Sequence, residues 1–295
     1  MPAKKNILFI INPIAGIKTK NNIPQLIEKH LNKDKFIPEI KLTRHVGHAM
    51  ELSHEAVDNG TDMVVAVGGD GTINETATPL VNSNLILGII PTGSGNGLAR
   101  HLNLPTNLAQ AIEVINNQNV TAIDTASAND RMFFCTAGIG FDSLIGRGFA
   151  STQKRGFSGY VNLVIKEFLL FKPLHFKIMA DGNAWEKKAF VITVANAGQY
   201  GNNAWISPHA DIADGKLDLC IISPFPKILA PQLVYQLFNR TMDRNKYMKI
   251  QKVESVEIES PDFDYVHLDG ESLRIKNKLK IEINPLSLRV LVPET

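Results

Sequence analysis

The stretch VVAVGGDGTINETATPL, Val64 to Leu80, decides the fold of the first part of the chain. It begins with an apolar run of the kind that forms a buried β-strand, breaks at two glycines, and continues into a segment that favours a helix. One carboxylate, Asp70, stands among the glycines. Ligands of open α/β sheets bind where strands end, and glycines followed by a helix start leave backbone N–H groups for an anion. The pattern predicts a phosphate-binding turn, with a plain tight turn as the alternative.

The chain divides into two regions with different sequence patterns. Up to residue 125, strand-like runs alternate with helical patterns, which predicts an α/β domain with a parallel sheet covered on both faces. From 126 to 284, strand-like runs follow one another, which predicts a mostly antiparallel β domain with helical insertions near 156–171 and 227–240. The final strand, within 285–295, is compatible with either domain.

The composition is that of an ordinary globular protein, with 295 residues, 44% of them hydrophobic, and a net charge of +2. This near-balance gives no argument for a nucleic-acid partner. Cys135 and Cys220 lie far apart in apolar surroundings, which predicts buried free thiols in a reducing compartment. No stretch approaches the ~20 apolar residues of a spanning helix. We therefore expect a cytoplasmic protein, with any membrane contact peripheral and at the inner face.

A second glycine loop supports the phosphate-binding interpretation. In LILGIIPTGSGNGLARHL, residues 85–102, a strand again precedes a glycine-rich loop and a helix. Neither GxxxxGK[ST] nor GxGxxG occurs in the chain, so the loops are neither a P-loop nor a dinucleotide fingerprint. Thr72 with Glu75 three residues later fits a capping box, which predicts that the helix after the first loop begins at Thr72.

GGDGTINE followed by PTGSGNGLAR resembles the catalytic domain of the diacylglycerol kinase and sphingosine kinase superfamily of lipid kinases. Further motifs resemble those of the same family in the same order along almost the whole chain. They are INPIAG at 11–16, AGIGFDS at 137–143, VANAGQYGNN at 194–203, HADIADGKLDL at 209–219 and LDGE at 268–271.

The resemblance implies a fold, cofactors and partners. The fold would be an NAD-kinase-like α/β nucleotide domain with a parallel sheet, followed by a C-terminal all-β sandwich that takes the lipid substrate. The cofactors would be ATP and Mg²⁺, and the substrate a lipid alcohol such as diacylglycerol or a sphingoid base. A peripheral membrane surface would then be a partner. The oligomeric state stays open, a homodimer included.

Carried over by motif, the resemblance also implies site residues. The catalytic base would be Glu271, beside Asp269, with Asp70 as the open alternative. Asp70 and Asp124 would match acids of the nucleotide–metal network. A structural Mg²⁺ would match the side chain of Asp214 and the carbonyl groups of Asp211 and Lys216. Nucleotide-binding positions would be Asn12, Thr43, Gly68, Gly69, Asp70, Gly71, Thr72, Ile73, Asn74, Gly93, Ser94, Gly95 and Asn96.

One position departs from the family pattern. Many bacterial diacylglycerol kinases have Asn-Asp where this chain has Asn96-Gly97, which puts the metal network at this point, and diacylglycerol as the substrate, in question.

Three functions compete: a lipid kinase, a kinase of a soluble substrate such as NAD, and a catalytically silent lipid-binding protein. The presence together of Asp70, Asp214 and Glu271 favours a catalyst.

Other patterns receive structural interpretations. His45 and His48 have the spacing of zinc ligands, but without a third ligand we expect solvated or loop-contacting histidines. The apolar segment 158–173 and the amphipathic segment 232–249 are expected to pack on the sandwich. Lining an acyl-chain pocket or touching a membrane surface are the alternatives for both segments.

Overall fold

The computed structural model of the chain describes residues 3–15, 22–144 and 164–294. The predicted insertion near 156–171 therefore lies partly outside the described residues. The chain divides into two compact units. Unit 1 comprises Met1–Thr125 and Pro285–Thr295, and unit 2 comprises Ala126–Asn284. None of the helices in the described residues is long and apolar enough to cross a membrane.

Unit 1 is an α/β domain with a parallel sheet, as predicted. Its strands pair in the order β2, β1, β3, β4, and every pair is parallel. All residues of β3 and β4 are buried, as expected of parallel strands with both faces covered. Its elements are β1 (Lys5–Ile11), α1 (Ile23–His30), β2 (Phe36–Leu42), α2 (His48–Asp58), β3 (Met63–Gly68), α3 (Asp70–Ala77), β4 (Ile86–Pro91), α4 (Gly97–His101) and α5 (Leu108–Asn117).

Unit 2 is an all-β sandwich with a few helical segments on one side. Two strands, β5 and β18, contribute residues to both units. The elements, with α6 and α7 given only over their described residues, are β5 (Val120–Ala128), β6 (Arg131–Phe133), β7 (Thr136–Gly140), α6 (141–144), α7 (164–170), β8 (Leu174–Ala180), β9 (Asn183–Ala189), β10 (Val191–Ala195), β11 (Gln199–Gly201), β12 (Ala204–Trp205), β13 (Leu217–Ile222), α8 (Ala230–Phe238), β14 (Met248–Val253), β15 (Ser255–Glu259), β16 (Val266–Leu268), β17 (Glu271–Leu273) and β18 (Lys278–Leu291).

A six-stranded sheet in the order β14, β13, β10, β7, β16, β17 forms one layer of unit 2. Alternate residues of its strands face opposite sides, as the pleat requires. Ile192 and Leu219 enter the main core, which they share with Phe176 and Ile258 of the other layer. Their neighbours in the chain, such as Val191 and Cys220, enter a second core that includes side chains of α7 and α8. The two helices therefore pack on the sandwich with one of their faces.

The C-terminal strand changes partners along its length. Residues Ser255–Glu259 pair antiparallel with its first part, whereas Arg289 and Val290 pair parallel with β4. Between these parts Leu286 has a φ of 47°, and its N–H donates to Oδ1 of Asp124 at 2.7 Å. Asp124 is fully buried. Beyond the role that the resemblance implies, this acid therefore holds the bend of the last strand.

Candidate functional site

The first glycine turn joins β3 to α3. The helix begins at Asp70, with Gly69 as its N-cap and no side-chain capping bond, so the prediction of a start at Thr72 with a capping box is wrong. Thr72 lies inside the helix, where its Oγ1 accepts a hydrogen bond from Asn12 Nδ2 at 3.0 Å. A Cβ atom on Gly68 would come within 2.4 Å of Thr72 Cβ. The glycine at 68 thus lets the helix turn back closely against the end of its strand.

Glu75, the other half of the predicted capping box, caps a different helix. Its carboxylate accepts hydrogen bonds from the N–H groups of Gly47 at 2.9 Å and Ala49 at 3.3 Å, at the start of α2. The pattern was misleading because Glu75 lies beyond the first turn of α3 and faces a neighbouring helix whose first N–H groups need acceptors. Sequence spacing alone does not show that neighbour.

The carboxylate of Asp70 joins the two glycine loops. Its Oδ2 accepts the N–H of Asn96 at 2.8 Å, and its Oδ1 accepts the N–H of Gly97 at 2.6 Å. These groups open α4, so Asp70 caps the helix that follows the second loop. The family departure at Gly97 leaves the second bond intact, because the donor is backbone. These bonds account for the single acid among the glycines, because the Asp70 carboxylate connects the first loop to the second.

The two loops also approach at their backbones. A Cβ atom on Gly93 would lie 2.5 Å from the Cα atom of Gly69. The backbones of the two loops are therefore in contact at two residues that have no side chain. Asn96, with a φ of 53°, accepts from the N–H of Gly93 at 3.0 Å and donates to its carbonyl at 2.8 Å. A Cβ on Gly95 would come 2.6 Å from Asp70 Oδ2. Gly69, Gly93 and Gly95 are therefore required for the packing of one loop against the other.

The other predicted nucleotide-binding residues of unit 1 gather at the same edge of the sheet. Asn12 follows β1, and its N–H donates to the Val67 carbonyl at 3.0 Å, while the N–H of Thr43, after β2, donates to the Ile11 carbonyl at 2.9 Å. Ser94 is exposed in the second loop. Ile73 is buried, and so it can offer a nucleotide only backbone groups. The carbonyl of Asn74 accepts from the Thr78 hydroxyl at 2.8 Å.

Gly71 differs from Gly68, Gly69, Gly93 and Gly95 in having open space around it. A Cβ atom built on it meets no other atom within 4 Å, and the residue is exposed in the first turn of α3. The first N–H groups of a helix have no partner within the helix, and the helix dipole favours an anion there. Open space at the start of α3, beside two glycine loops fixed to each other, suits a phosphate group.

In unit 2, the LDGE motif forms a tight β-hairpin. Asp269 and Gly270 have φ values of 49° and 87°, and Leu268 pairs with Glu271 across this two-residue turn. Such values fit a type I′ turn, for which Asp-Gly is a preferred pair. Glu271 is exposed at the start of β17. The hairpin turn places Glu271 at the surface, where its side chain is exposed to solvent.

Asp269 anchors this hairpin. Its Oδ1 accepts the N–H groups of Cys135 at 2.8 Å and Thr136 at 3.0 Å, and its Oδ2 accepts the N–H of Phe134 at 2.8 Å. Three charge-assisted bonds to consecutive backbone groups fix the turn on the β6–β7 connection. The acid next to Glu271 is therefore a positioning group for it.

A buried polar network that the sequence analysis did not identify lies beside the hairpin. Oδ2 of Asp142 contacts His267 Nε2 at 2.8 Å, Thr193 Oγ1 at 2.9 Å and the Tyr200 hydroxyl at 3.0 Å. A Cβ atom on Gly138 would lie 2.1 Å from that oxygen, so the network needs a glycine beneath it. Its members belong to four separate elements, the helix α6 and the strands β10, β11 and β16, and only the tertiary fold brings them together. The only hint in the sequence was that Asp142 and Tyr200 lie in quoted motifs and that Thr193 and His267 directly precede two others.

Burial alone would lower the pKa of His267, but the charge of Asp142, its hydrogen bond and the charge of Asp269 outweigh burial and raise this pKa above its ordinary value. Because the folded-state pKa exceeds the unfolded value of about 6.5, the stabilisation is fully present below that pH and is lost as pH rises through the folded-state pKa. We expect the free energy of unfolding to fall over that range in urea titrations. His267→Gln should remove this pH dependence, and His175→Gln, an exposed control on β8, should keep it. An identical pH profile for the parent and His267→Gln would contradict the prediction.

The loop expected to hold a metal has a cation position that a lysine fills. Asp214 Oδ1 accepts the N–H of Lys216 at 3.0 Å, and its Oδ2 bonds the ammonium of Lys252. The pKa of Lys252 is raised, first by that bond and then by the charges of Asp218, Asp214 and Asp211, with burial opposing them. Several carboxylates thus act on one cation, and the oxygen-rich loop fits a divalent ion as well as an ammonium group.

His45 and His48 have an acid nearby after all. Ligand atoms of these histidines and Glu51 lie within 4.8 Å of one another, the single such group found among the described residues. His48 Nδ1 already accepts the N–H of Arg44 at 3.0 Å, and His45 Nδ1 lies 3.0 Å from the Val46 carbonyl. Both histidines therefore contact their loop, in line with the interpretation preferred from the sequence.

The fold and the paired glycine loops define a class of protein, the kinases with a GGDG-type nucleotide domain and a β-sandwich second domain. Residues 6–128 match the family described as Diacylglycerol kinase catalytic domain, and residues 136–292 match the YegS C-terminal NAD kinase beta sandwich-like domain. The chain belongs to this family of diacylglycerol-kinase-type, YegS-like lipid kinases.

Individual relatives agree with the family assignment. The chain is 32% identical over 280 residues to a "Probable lipid kinase YegS-like" of Klebsiella pneumoniae, covering 92% of each. It is 29% identical over 255 residues to a "Diacylglycerol kinase" of Mycobacterium tuberculosis, covering 83% of this chain and 81% of that one.

Solved structures share the fold. A diacylglycerol kinase structure from Bacillus anthracis superimposes with a TM-score of 0.75 at 22% identity, covering 98% of this chain and 97% of that one. An NAD kinase of Archaeoglobus fulgidus in complex with ATP gives 0.56 at 17% identity, covering 98% and 94%. The predicted fold class, an NAD-kinase-like α/β domain followed by an all-β sandwich, is confirmed.

Proposed function

We propose that the protein is an ATP- and Mg²⁺-dependent lipid kinase that phosphorylates the hydroxyl group of a lipid alcohol such as diacylglycerol or a sphingoid base. The observation that carries the proposal is the paired glycine loop, fixed by Asp70 and by the approach of Gly69 to Gly93, with open space at Gly71. Membership of the lipid kinase family supports the substrate class.

In this proposal the ATP phosphates bind the N–H groups at the start of α3 and those of Ser94 and Gly95 in the second glycine loop, because the N–H groups of Gly93, Asn96 and Gly97 already have acceptors within the protein. Phosphoryl transfer needs little covalent help from the protein, because positioning and charge stabilisation provide most of the catalysis. The loops suit this role because Asp70 and Asn96 hold them rigidly before any ligand arrives. A preorganised site loses less conformational entropy on binding.

Glu271 is proposed as the general base. The lipid oxygen forms a bond to the γ-phosphorus, the bond from that phosphorus to the β,γ-bridging oxygen breaks, ADP leaves, and the hydroxyl proton passes to the Glu271 carboxylate. Its exposed position on an anchored hairpin supports this role. Asp70 is the weaker candidate, because each of its two oxygens already accepts a backbone N–H.

Mg²⁺ has two proposed places. Bound with ATP, it would neutralise phosphate charge, as it does in kinases generally. A structural ion would be held by the Asp214 side chain with carbonyl groups of Asp211 and Lys216. Lys252 would then have to move away from Oδ2 of Asp214, because an ammonium group and a divalent cation bound to the same oxygen would repel each other.

Replacing Asp214 with alanine tests the structural ion. If Mg²⁺ binds there, adding Mg²⁺ raises the melting temperature of the parent protein, and this increase disappears in Asp214→Ala because ligand binding to the folded state stabilises it. Asp264→Ala, an exposed residue in the same unit outside this loop, should keep the increase. Melting temperatures measured with Mg²⁺ and with EDTA, without nucleotide, decide the matter. An equal Mg²⁺ response of parent and Asp214→Ala would show that the loop is only a turn.

The function itself is tested by ATP consumption with a panel of lipid alcohols in mixed micelles, with products identified by mass. Phosphorylation of at least one diacylglycerol or sphingoid base is the expected result. NAD belongs in the same panel, because the shared fold with an NAD kinase makes a soluble substrate the second candidate. Phosphorylation of NAD with no lipid product would replace the proposal. Absence of any product with intact lipid binding would favour a silent lipid-binding protein.

A further inference from the structure

Half of the large exposed apolar side chains in the described residues belong to one region of unit 2. Seven of fourteen lie on α7, on the turn at Lys227–Leu229 and on α8. We call this set the apolar face; its members are Ile165, Leu169 and Leu170, then Ile228, then Val234, Tyr235 and Phe238. Scattered exposed apolar residues are ordinary, but a concentration of them marks an interaction surface.

The two helices of the apolar face are held together. The ammonium of Lys227 donates to the Leu169 carbonyl and lies 5.9 Å from the centre of the Phe168 ring. Phe168 and Phe225 lie 6.2 Å apart, and Leu233 of α8 enters the same buried cluster. Each helix therefore uses one side to cover the sandwich and turns other apolar residues to the exterior. In the sequence analysis, packing on the sandwich and contact with a membrane surface were alternatives for these segments. In the structure, each helix has one side buried against the sandwich and another side with exposed apolar residues.

The charge of this region differs from that of the rest of the chain. Residues 164–173 and 223–248 contain six lysines and arginines and two acids, a net charge of +4, whereas the whole chain has +2. The remainder is therefore net negative. One of these cations is linked to the aromatic groups of the region: Lys246 Nζ is 5.1 Å from the Tyr247 ring, which lies 6.1 Å from Phe225.

We propose that the apolar face is the surface by which the protein binds an anionic lipid bilayer. Amphipathic helices with apolar residues on one side and basic residues around them lie in the interfacial layer of such membranes. The apolar side chains enter between the headgroups, and the cations interact with the negative surface potential. This inference rests on the proposed function, because a lipid kinase must obtain its substrate from a bilayer.

Charge selects this partner over a second copy of the chain. In a symmetric dimer the same basic region would face itself, and like charges would oppose each other. An anionic bilayer instead complements the net charge of +4. The binding should accordingly weaken as salt screens the charges.

The test uses the full chain without ATP and measures flotation with vesicles. Vesicles of phosphatidylcholine with phosphatidylglycerol should bind the parent about 10-fold or more tightly than vesicles of phosphatidylcholine alone. The double variant Leu170→Glu/Ile228→Glu should lose about 10-fold or more of the binding to the anionic vesicles. The parent residues are 65% and 86% exposed, so the fold should tolerate the change.

A matched control changes two exposed apolar residues of unit 1. Ile37→Glu/Leu42→Glu, on the strand β2, replaces side chains that are 54% and 52% exposed and should bind vesicles like the parent. Equal loss in both double variants, or no loss in Leu170→Glu/Ile228→Glu, would overturn the inference. A parent dimer that only the Leu170→Glu/Ile228→Glu variant converts to a monomer, measured by light scattering, would also overturn it.

The result is separate from the kinase assay. Activity toward a short-chain, water-soluble diacylglycerol does not require a bilayer, so the Leu170→Glu/Ile228→Glu variant should keep parent activity on it. Loss of vesicle binding in that variant supports the surface even if no lipid alcohol proves to be a substrate. Normal vesicle binding in the variant overturns the surface even if the kinase activity is established.

Discussion

Replacing Glu271 with glutamine is expected to lower the turnover number about 10²-fold or more while ATP affinity stays at the parent value. Loss of a general base has an effect of that size, and glutamine keeps the shape of the side chain without its ability to take a proton. The residue is exposed and outside the glycine loops, so neither the fold nor nucleotide binding should depend on its charge. Steady-state kinetics on the best lipid alcohol and ATP titration calorimetry provide the two measurements.

The control for this variant is Glu186→Gln, an exposed glutamate on β9 of the same unit. It should turn over at the parent rate. If Glu271→Gln also does so with several lipid alcohols, Glu271 is not the base and Asp70 becomes the leading candidate. Asp70→Asn is then informative, although it should also weaken nucleotide binding and stability, because Asp70 holds the N–H groups of Asn96 and Gly97.

Gly71→Val is expected to reduce ATP affinity about 10²-fold or more while the protein remains folded. The new side chain would occupy the open space at the start of α3, where a phosphate would approach the first N–H groups. The fold should tolerate valine, because the added Cβ meets no atom within 4 Å and glycine is the weaker helix former of the two. Calorimetric titration with ATP and a thermal melt measure the two effects.

Ala109→Val provides the matched control, since Ala109 is the second residue of α5 as Gly71 is of α3. It introduces the same side chain at the same helical position away from the glycine loops. ATP affinity should be unchanged in this control. Parent-like ATP affinity in Gly71→Val would remove the glycine turn from the proposed phosphate site.

Residue types with particular local preferences were enough to predict much of unit 1. The apolar runs at β3 and β4 are buried throughout, as is typical of strands in a sheet covered on both faces. Glycines at the ends of these strands marked the ligand edge, because glycine is required where backbones touch, as at Gly69 and Gly93. The turn at Asp269 and Gly270 was likewise readable from an Asp-Gly pair between strand-like runs.

The partners of individual polar groups could not be predicted in this way. The bonds of Asp70 to the first N–H groups of α4 were not predicted; Glu75 was expected to cap its own helix, and it caps α2. A carboxylate bonds whichever donors the packing brings within about 3 Å, and those donors are remote in sequence. The same reason explains why the network of Asp142 and His267 was missed: its two acid–base members are 125 residues apart.

The sequence by itself determined the class of fold, the position of the glycine loops and the family, because these depend on local backbone preferences and on motifs contiguous in the chain. Tertiary structure alone decided which acids are structural, such as Asp269 on three N–H groups, and which remain exposed, such as Glu271. It also decided which sides of α7 and α8 are buried. Hydrogen-bond partners and burial are properties of surfaces brought together by folding, and a linear pattern specifies only which surfaces are able to meet.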